Sequence, residues 1–407
     1  MAARAGLGRP DDTVIDLADV AGPDLAPTIY YIAMAAYFRN DFGAVETWLG
    51  AHLPGDPAMR ARYLLLRGFA AAGKGNVAKQ LELADAAIKL LRREAADEIY
   101  LLAHAAHVVA MLVRELPCEG IGNYLTALDT DLDWPQELEF IRFQLLRAMG
   151  WKSALLGAYD RAMTHLLRAA FFTDDSLLRA YAHLDRASVS IFAGERVSAR
   201  SELFAALAIV DGTEWATVRN ESILLLPYAA QVAAELDETT AAQRLCDLAT
   251  ELRSQISARW AFAHDGRMAA FLSEAEAFAY FDGDRVRALR AGAAAYETFA
   301  GIGYAWRAGR LAALLYAGTR ESQWQERAQQ WIAYYRGSPL ERLLEADAIR
   351  PLSPRQRQVY KLMAQGKTGG EIAAQLGIST FTVRNHERLV MRAYGVHRRV
   401  DLLDKAR

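Results

Sequence analysis

Three side chains near the carboxy-terminal end, Arg384, Asn385 and Arg388, have the chemistry and spacing to read nucleic-acid bases. A guanidinium forks onto O6 and N7 of guanine, and a carboxamide onto N6 and N7 of adenine. At 100° per residue, Phe381, Arg384, Asn385, Arg388 and Arg392 share one side of a helix. Val383, His386, Val390 and Tyr394 share the other. One face suits a protein core and the other a DNA groove. An ordinary surface helix also carries three arginines, so the elements around it must decide.

Those elements fit a helix-turn-helix. Ser353-Pro354 opens a first helix, since serine caps well and proline fits a first turn. Val359, Leu362 and Met363 give it an apolar stripe, and Gly366 ends it. Glu371–Leu376 is a short second helix. Gly377-Ile378-Ser379 is the turn, with Ser379 placed to cap a third helix from about Thr380 to Tyr394. The charge follows the same division. Residues 351–407 hold 11 Lys/Arg against 4 Asp/Glu, whereas the preceding 350 residues hold 36 against 45. A basic module on an acidic body places phosphate contact in the tail alone.

Leu352–Val359, Gly366, Glu371-Ile372-Ala373, Leu376, Ile378-Ser379, Thr382–His386, Gly395-Val396 and Arg399 together resemble the LuxR/FixJ-type helix-turn-helix. The resemblance covers about 50 residues. It implies a four-helix DNA-binding domain at 352–407, usually a homodimer on inverted half-sites of double-stranded DNA. By the resemblance, Arg384, Asn385 and Arg388 read bases, and Thr380, Thr382, Lys367 and Thr368 contact the backbone. Phe381 and Arg392 flank the readers on the same face. The sequence departs from the family at Gln356 and Gln358, where Glu is usual, and at Gly369-Gly370, where Asn-Lys or Asn-Arg is usual. The second departure removes a basic residue and puts a phosphate contact there in doubt. Glu387 either selects cytosine or repels phosphate.

Upstream, residues 27–336 read as helix throughout, rich in Ala, Leu, Arg and Glu and poor in proline. Helix pairs are punctuated by a small or polar turn, followed by an alanine near the start of the next helix. The turns are Asn40–Ala44, Gly73–Ala78, Gly157–Ala162, Gly194–Ala199, Asp237–Ala241 and Gly283–Ala288, with a weaker unit near Gly120–Tyr124. A period of about 34 to 46 residues points to an all-α, TPR-like α-solenoid, with an irregular bundle as the alternative. Residues 1–26 read as a flexible leader without a signal-peptide layout, and 337–351 as a linker broken by Gly337-Ser338-Pro339 and Arg350-Pro351.

Other chemistry is thin. Gly68–Gly75 nearly spells a phosphate-binding loop, which matters because MalT-like regulators join an ATPase to helical repeats and this same module. Gly75 stands where a Ser or Thr would meet Mg²⁺, and a helix precedes the loop instead of a strand. His104 and His107 share a helix face, with Asp97 and Glu98 nearby, in a pattern commoner in packed bundles than in metal sites. Cys118 and Cys246 lack metal spacing and fit a reduced compartment. Trp151, Tyr159, Trp260, Tyr280, Trp306 and Tyr316 either fill a core or line a groove. No apolar run reaches membrane-spanning length. The expectation is a non-enzymatic, cofactor-free transcription regulator of the bacterial cytoplasm, on the nucleoid when bound to DNA. Its body senses a peptide, protein or small effector, and RNA polymerase is a further candidate partner. The alternatives are an interaction scaffold with a docking module and a degenerate MalT-like ATPase regulator.

Overall fold

The computed structural model describes residues 25–91, 98–113, 138–218, 221–255, 266–335, 341, 352, 354–393 and 398–399. Among these residues all the elements are helical. The body contains α1 (Leu25–Phe38), α2 (Phe42–Ala51), α3 (Pro57–Gly73), α4 (Val77–Leu90), α5 (Ile99–Val113), α6 (Glu139–Leu155), α7 (Tyr159–Ala170) and α8 (Ser176–Ala193). It continues through α9 (Arg196–Asp211), α10 (Leu225–Glu235), α11 (Thr239–Glu251), α12 (Arg267–Tyr280), α13 (Arg285–Ile302), α14 (Ala305–Thr319) and α15 (Ser322–Ile332). Then come α16 (Pro354–Ala364), α17 (Gly369–Leu376) and α18 (Thr380–Ala393). The linker residues, the weak unit near Gly120–Tyr124, Trp260, Cys118 and Ser353 lie outside the described residues, apart from Glu341 in the linker.

Successive helices pack as pairs: α1 with α2, α3 with α4, α6 with α7, α8 with α9, α10 with α11, α12 with α13, and α14 with α15. First helices of neighbouring pairs also touch, as α6, α8, α10 and α12 do in turn. That is the stacked helix-pair layering expected of a solenoid. In five of the six turns the degenerate motif has one physical content. After α1, α3, α6, α8 and α10, a residue takes a positive φ: Asn40, Gly75, Gly157, Gly194 and Asp237. The next N–H then reaches back five residues, as in Ala158 N to the Ser153 carbonyl at 2.9 Å and Glu238 N to the Ala233 carbonyl at 2.9 Å. These closures satisfy carbonyls that a helix end otherwise leaves orphaned. Glycine, asparagine and aspartate tolerate the conformation, so the letters vary among these five turns; in the sixth, Gly283–Ala288, no residue takes a positive φ, and Asp284 N bonds to the Tyr280 carbonyl at 2.8 Å.

The expected interfacial alanines are buried in the pairs α6–α7, α8–α9 and α12–α13, where Ala162, Ala199 and Ala288 are at most 1% exposed. In the other three turns the register differs: Val45 is buried beside a half-buried Ala44. Val77 is buried where Ala78 is exposed, and Ala242 is buried beside a half-buried Ala241. Most buried polar side chains lie on first helices of the pairs. Asp185 on α8 is completely buried. It pairs with Arg147 on α6 and accepts from Trp151 Nε1 at 2.7 Å and from the Tyr228 hydroxyl on α10 at 2.9 Å. Arg310 on α14 meets Glu235 on α10 at 2.8 Å. Paired and hydrogen-bonded in this way, the charges are compensated for leaving water.

Gly68–Gly73 is helical to the end of α3, so the near-match to a phosphate loop is a helix end and a repeat turn. Gly68 packs on the Gln80 backbone, and the Phe42 ring occupies the space a side chain at Gly73 would need. His104 lies against the Phe69 ring and His107 against Phe140.

The carboxy-terminal helices enclose a separate core of Leu352, Val359, Leu362, Met363, Ile372, Ala373, Val383 and Val390. They dock on the body through α16. Arg357 pairs with Asp282 in the turn before α13 and lies 3.5 Å from Asp237 in the turn before α11. Lys361, one turn along, donates to the Asp237 carbonyl at 3.4 Å. The Arg357, Asp237 and Asp282 side chains are 12%, 15% and 19% exposed, so this contact is largely shielded from solvent.

Candidate nucleic-acid interface

The site is built from the second helix upward. Thr368 caps α17: its hydroxyl oxygen accepts from Glu371 N at 3.3 Å, and the Glu371 carboxylate accepts from Thr368 N at 2.7 Å. This reciprocal box starts α17 at Gly369, two residues earlier than expected. The Thr368 backbone N–H and hydroxyl hold the Glu371 carboxyl below its usual pKa. Gly377, at φ 61°, closes the helix, and its N–H bonds to the Ala373 carbonyl. The Ser379 hydroxyl then accepts from Thr382 N at 3.1 Å, as a cap for α18 should.

These caps set the rotation of α18. Val383 and Val390 are fully buried, and His386 is half-buried beside them. On the opposite side Arg384, Asn385 and Arg388 are exposed, and Phe381 is 77% exposed. The division expected from helical periodicity is therefore the one found. Arg388 donates to the Asn385 side-chain oxygen at 2.9 Å, so two of the expected readers hold each other in the unbound protein. Thr380, Lys367 and Thr368 are exposed at the edge of this face, while the Thr382 hydroxyl is engaged with Ser379 at 2.8 Å. Arg392 lies in α18, and its side chain is outside the described residues. So are Tyr394 and most of the expected fourth helix.

Two features escaped the sequence reading. Glu387 does not stand free on the reading face. It pairs with Arg399 at 3.2 Å, and Arg399 also donates to the Lys367 carbonyl. Arg399 thereby ties α18 to the loop before α17. The Thr368-x-x-Glu371 box was visible as spacing; the Arg399 link needed the tertiary fold. The pair Gly369-Gly370 is helical backbone with room beside it, since a side chain at Gly370 would meet nothing within 4 Å. Among the described residues, no three His, Cys, Asp or Glu side chains cluster as a metal site would require.

Comparison with known proteins places residues 350–406 within the model of bacterial regulatory proteins, luxR family. A stretch of 45 residues is 49% identical to the spore germination protein GerE of Bacillus subtilis (strain 168). That stretch is 11% of this chain and 61% of GerE, so the chain spans less than two thirds of that relative. The chain is also similar to the crystal structure of a Rap protein complexed with competence and sporulation factor. That likeness has a TM-score of 0.45 and 13% identity, covering 86% of this chain and 99% of the other.

Proposed function

We propose that the protein is a DNA-binding transcription regulator in which residues 352–407 read double-stranded DNA and residues 27–336 form the controlling body. The carrying observation is the division of α18: a buried valine seam on one side and an exposed Arg384–Asn385–Arg388 face on the other. Arg384 and Arg388 recognise guanine, Asn385 recognises adenine, and Lys367, Thr368, Thr380 and Thr382 line the phosphate path. The module acts as a homodimer on inverted half-sites in the cytoplasm, where RNA polymerase is available to it. The body senses an effector and passes its state to the module through the Arg357 contact. That contact grips α16 and leaves the reading face exposed, so control acts on the orientation of the module, not on covering its readers.

Selection of bound duplexes from a random pool by the full chain tests this reading. The expected result is an enriched inverted repeat whose binding weakens steeply with salt. Enrichment of no sequence, together with a salt-insensitive interaction, would instead favour the protein-docking scaffold.

A further inference from the structure

Far from the reading helix, α1, α3 and α5 leave a cavity of about 340 Å³ between them. That volume is in the range of small-molecule sites. The rings of Tyr30, Tyr37, Phe38, Phe69 and His104 line it together with leucines and a methionine, and Arg62 supplies a cation. Neither Asp nor Glu is among the described lining residues. Arg62 is exposed and forms no ion pair with any described residue. Its charge is felt by Tyr30, whose phenol is nonetheless raised above its usual pKa because burial outweighs the guanidinium. A hydroxyl donor thus sits near a guanidinium that has no ion-pair partner among the described residues.

The walls are braced independently of any ligand. The Tyr63 hydroxyl donates to the Ala26 carbonyl at 2.9 Å, tying α3 to the start of α1. Tyr63 also stacks on Tyr30, with ring centroids 6.5 Å apart. Tyr37 and Phe69 lie 6.2 Å apart, and Phe69 and His104 5.9 Å. A row of rings running from α1 through α3 to α5 gives a surface on which a flat apolar group can lie. An aromatic cage could also attract a cation, but here the charged side chain among the described lining residues, Arg62, is positive. The complementary ligand is an anion with an apolar body.

We propose that this cavity binds a small organic carboxylate with an aromatic or branched apolar body, its ring or chain among Tyr30, Tyr37 and Phe69 and its carboxylate on Arg62. A guanidinium matches a carboxylate in shape as well as charge. The proposal rests on the reading that the body takes an effector, and its binding test is separate from DNA binding.

The test titrates the full chain with 3-phenylpropionate and with its neutral amide by calorimetry. The expected result is saturable binding of the acid and at least ten-fold weaker binding of the amide. Arg62→Gln, at an exposed position, should bind acid and amide alike while its helical content and melting temperature stay unchanged. Absence of saturable acid binding, equal affinity of acid and amide in the natural protein, or undiminished discrimination in Arg62→Gln would each overturn the proposal. Binding only of a phenylalanine-terminated peptide, without binding of the free acid, would overturn it too and assign the cavity to peptides. Acid binding that leaves DNA affinity unchanged would keep this site and remove the sensing role from the function proposed above.

Discussion

Glu387 on the recognition helix is held by Arg399, twelve residues further along the chain, at 3.2 Å. The acid is therefore engaged within the module, beside the exposed Arg384–Asn385–Arg388 face. Its side chain is 17% exposed, so the pair is partly shielded. Glu387→Gln should leave the selected base sequence unchanged and lower the stability of the module by about 1 kcal/mol. Random-pool selection on the variant, beside a denaturation curve, checks both parts. A new preference at a cytosine position would show that the acid does read a base.

The readers themselves should behave differently. Arg384→Ala and Arg388→Ala should each weaken binding to the selected site by about 1–3 kcal/mol and relax preference at one position. Lys367→Ala should weaken binding to every sequence alike and flatten the salt dependence by about one ion. Mobility-shift titrations at several salt concentrations separate the two classes. Because Asn385 accepts from Arg388 before DNA arrives, Asn385→Ala and Arg388→Ala should be non-additive.

Gly369 and Gly370 offer a gain-of-function experiment. Open space beside Gly370 means that Gly370→Lys needs no rearrangement, and leaving glycine raises helix propensity. The variant should bind DNA several-fold more tightly at low salt, with the advantage shrinking as salt rises. Unchanged affinity at low salt would place this helix start away from phosphate.

The docking contact makes a geometric prediction. Arg357→Gln or Asp282→Asn should free the module from the body without unfolding either. Spin labels on exposed positions of α13 and α17 should then show a broader distribution of distances. An unaltered distribution would mean that Arg357 does not hold the two parts together.

One carboxylate of the body should make its stability depend on acid pH. Burial pushes the Glu202 pKa up, but hydrogen bonds from His183 at 2.7 Å and Arg186 at 2.9 and 3.0 Å overcome it, leaving about 2 against the ordinary 4.5. A carboxylate with a depressed native value stabilises the fold fully above its unfolded value, and this stabilisation fades as pH falls toward the native one. Urea midpoints should therefore drop between pH 4.5 and about 2, and less steeply in Glu202→Gln.

The sequence was most readable where local rules govern. Caps, a turn glycine and 3.6-residue periodicity place Val383 inward and Arg384 outward without reference to anything distant. The repeat turns were legible as a class for the same reason, although what five of the six share, a left-handed residue and a five-residue hydrogen bond, lay beneath varied letters. Contacts between distant parts were not legible. Nothing in the spacing of Arg357 and Asp282 brings them together, nor links Asp185 to Arg147 and Tyr228 from both sides. The cavity under Arg62 is equally a product of three helices that are remote in sequence.

Arg357 touches two turns, and those turns belong to adjacent repeats: Asp237 ends one first helix and Asp282 follows the next. The distance between two such turns is the spacing of one repeat from the next. A single guanidinium spanning them works as a caliper. It can close on both carboxylates only while that spacing keeps one value, so parting or closing the two repeats by roughly an ångström or two would open one jaw. A change spread thinly over many helices would thus register at one residue of the DNA-reading module.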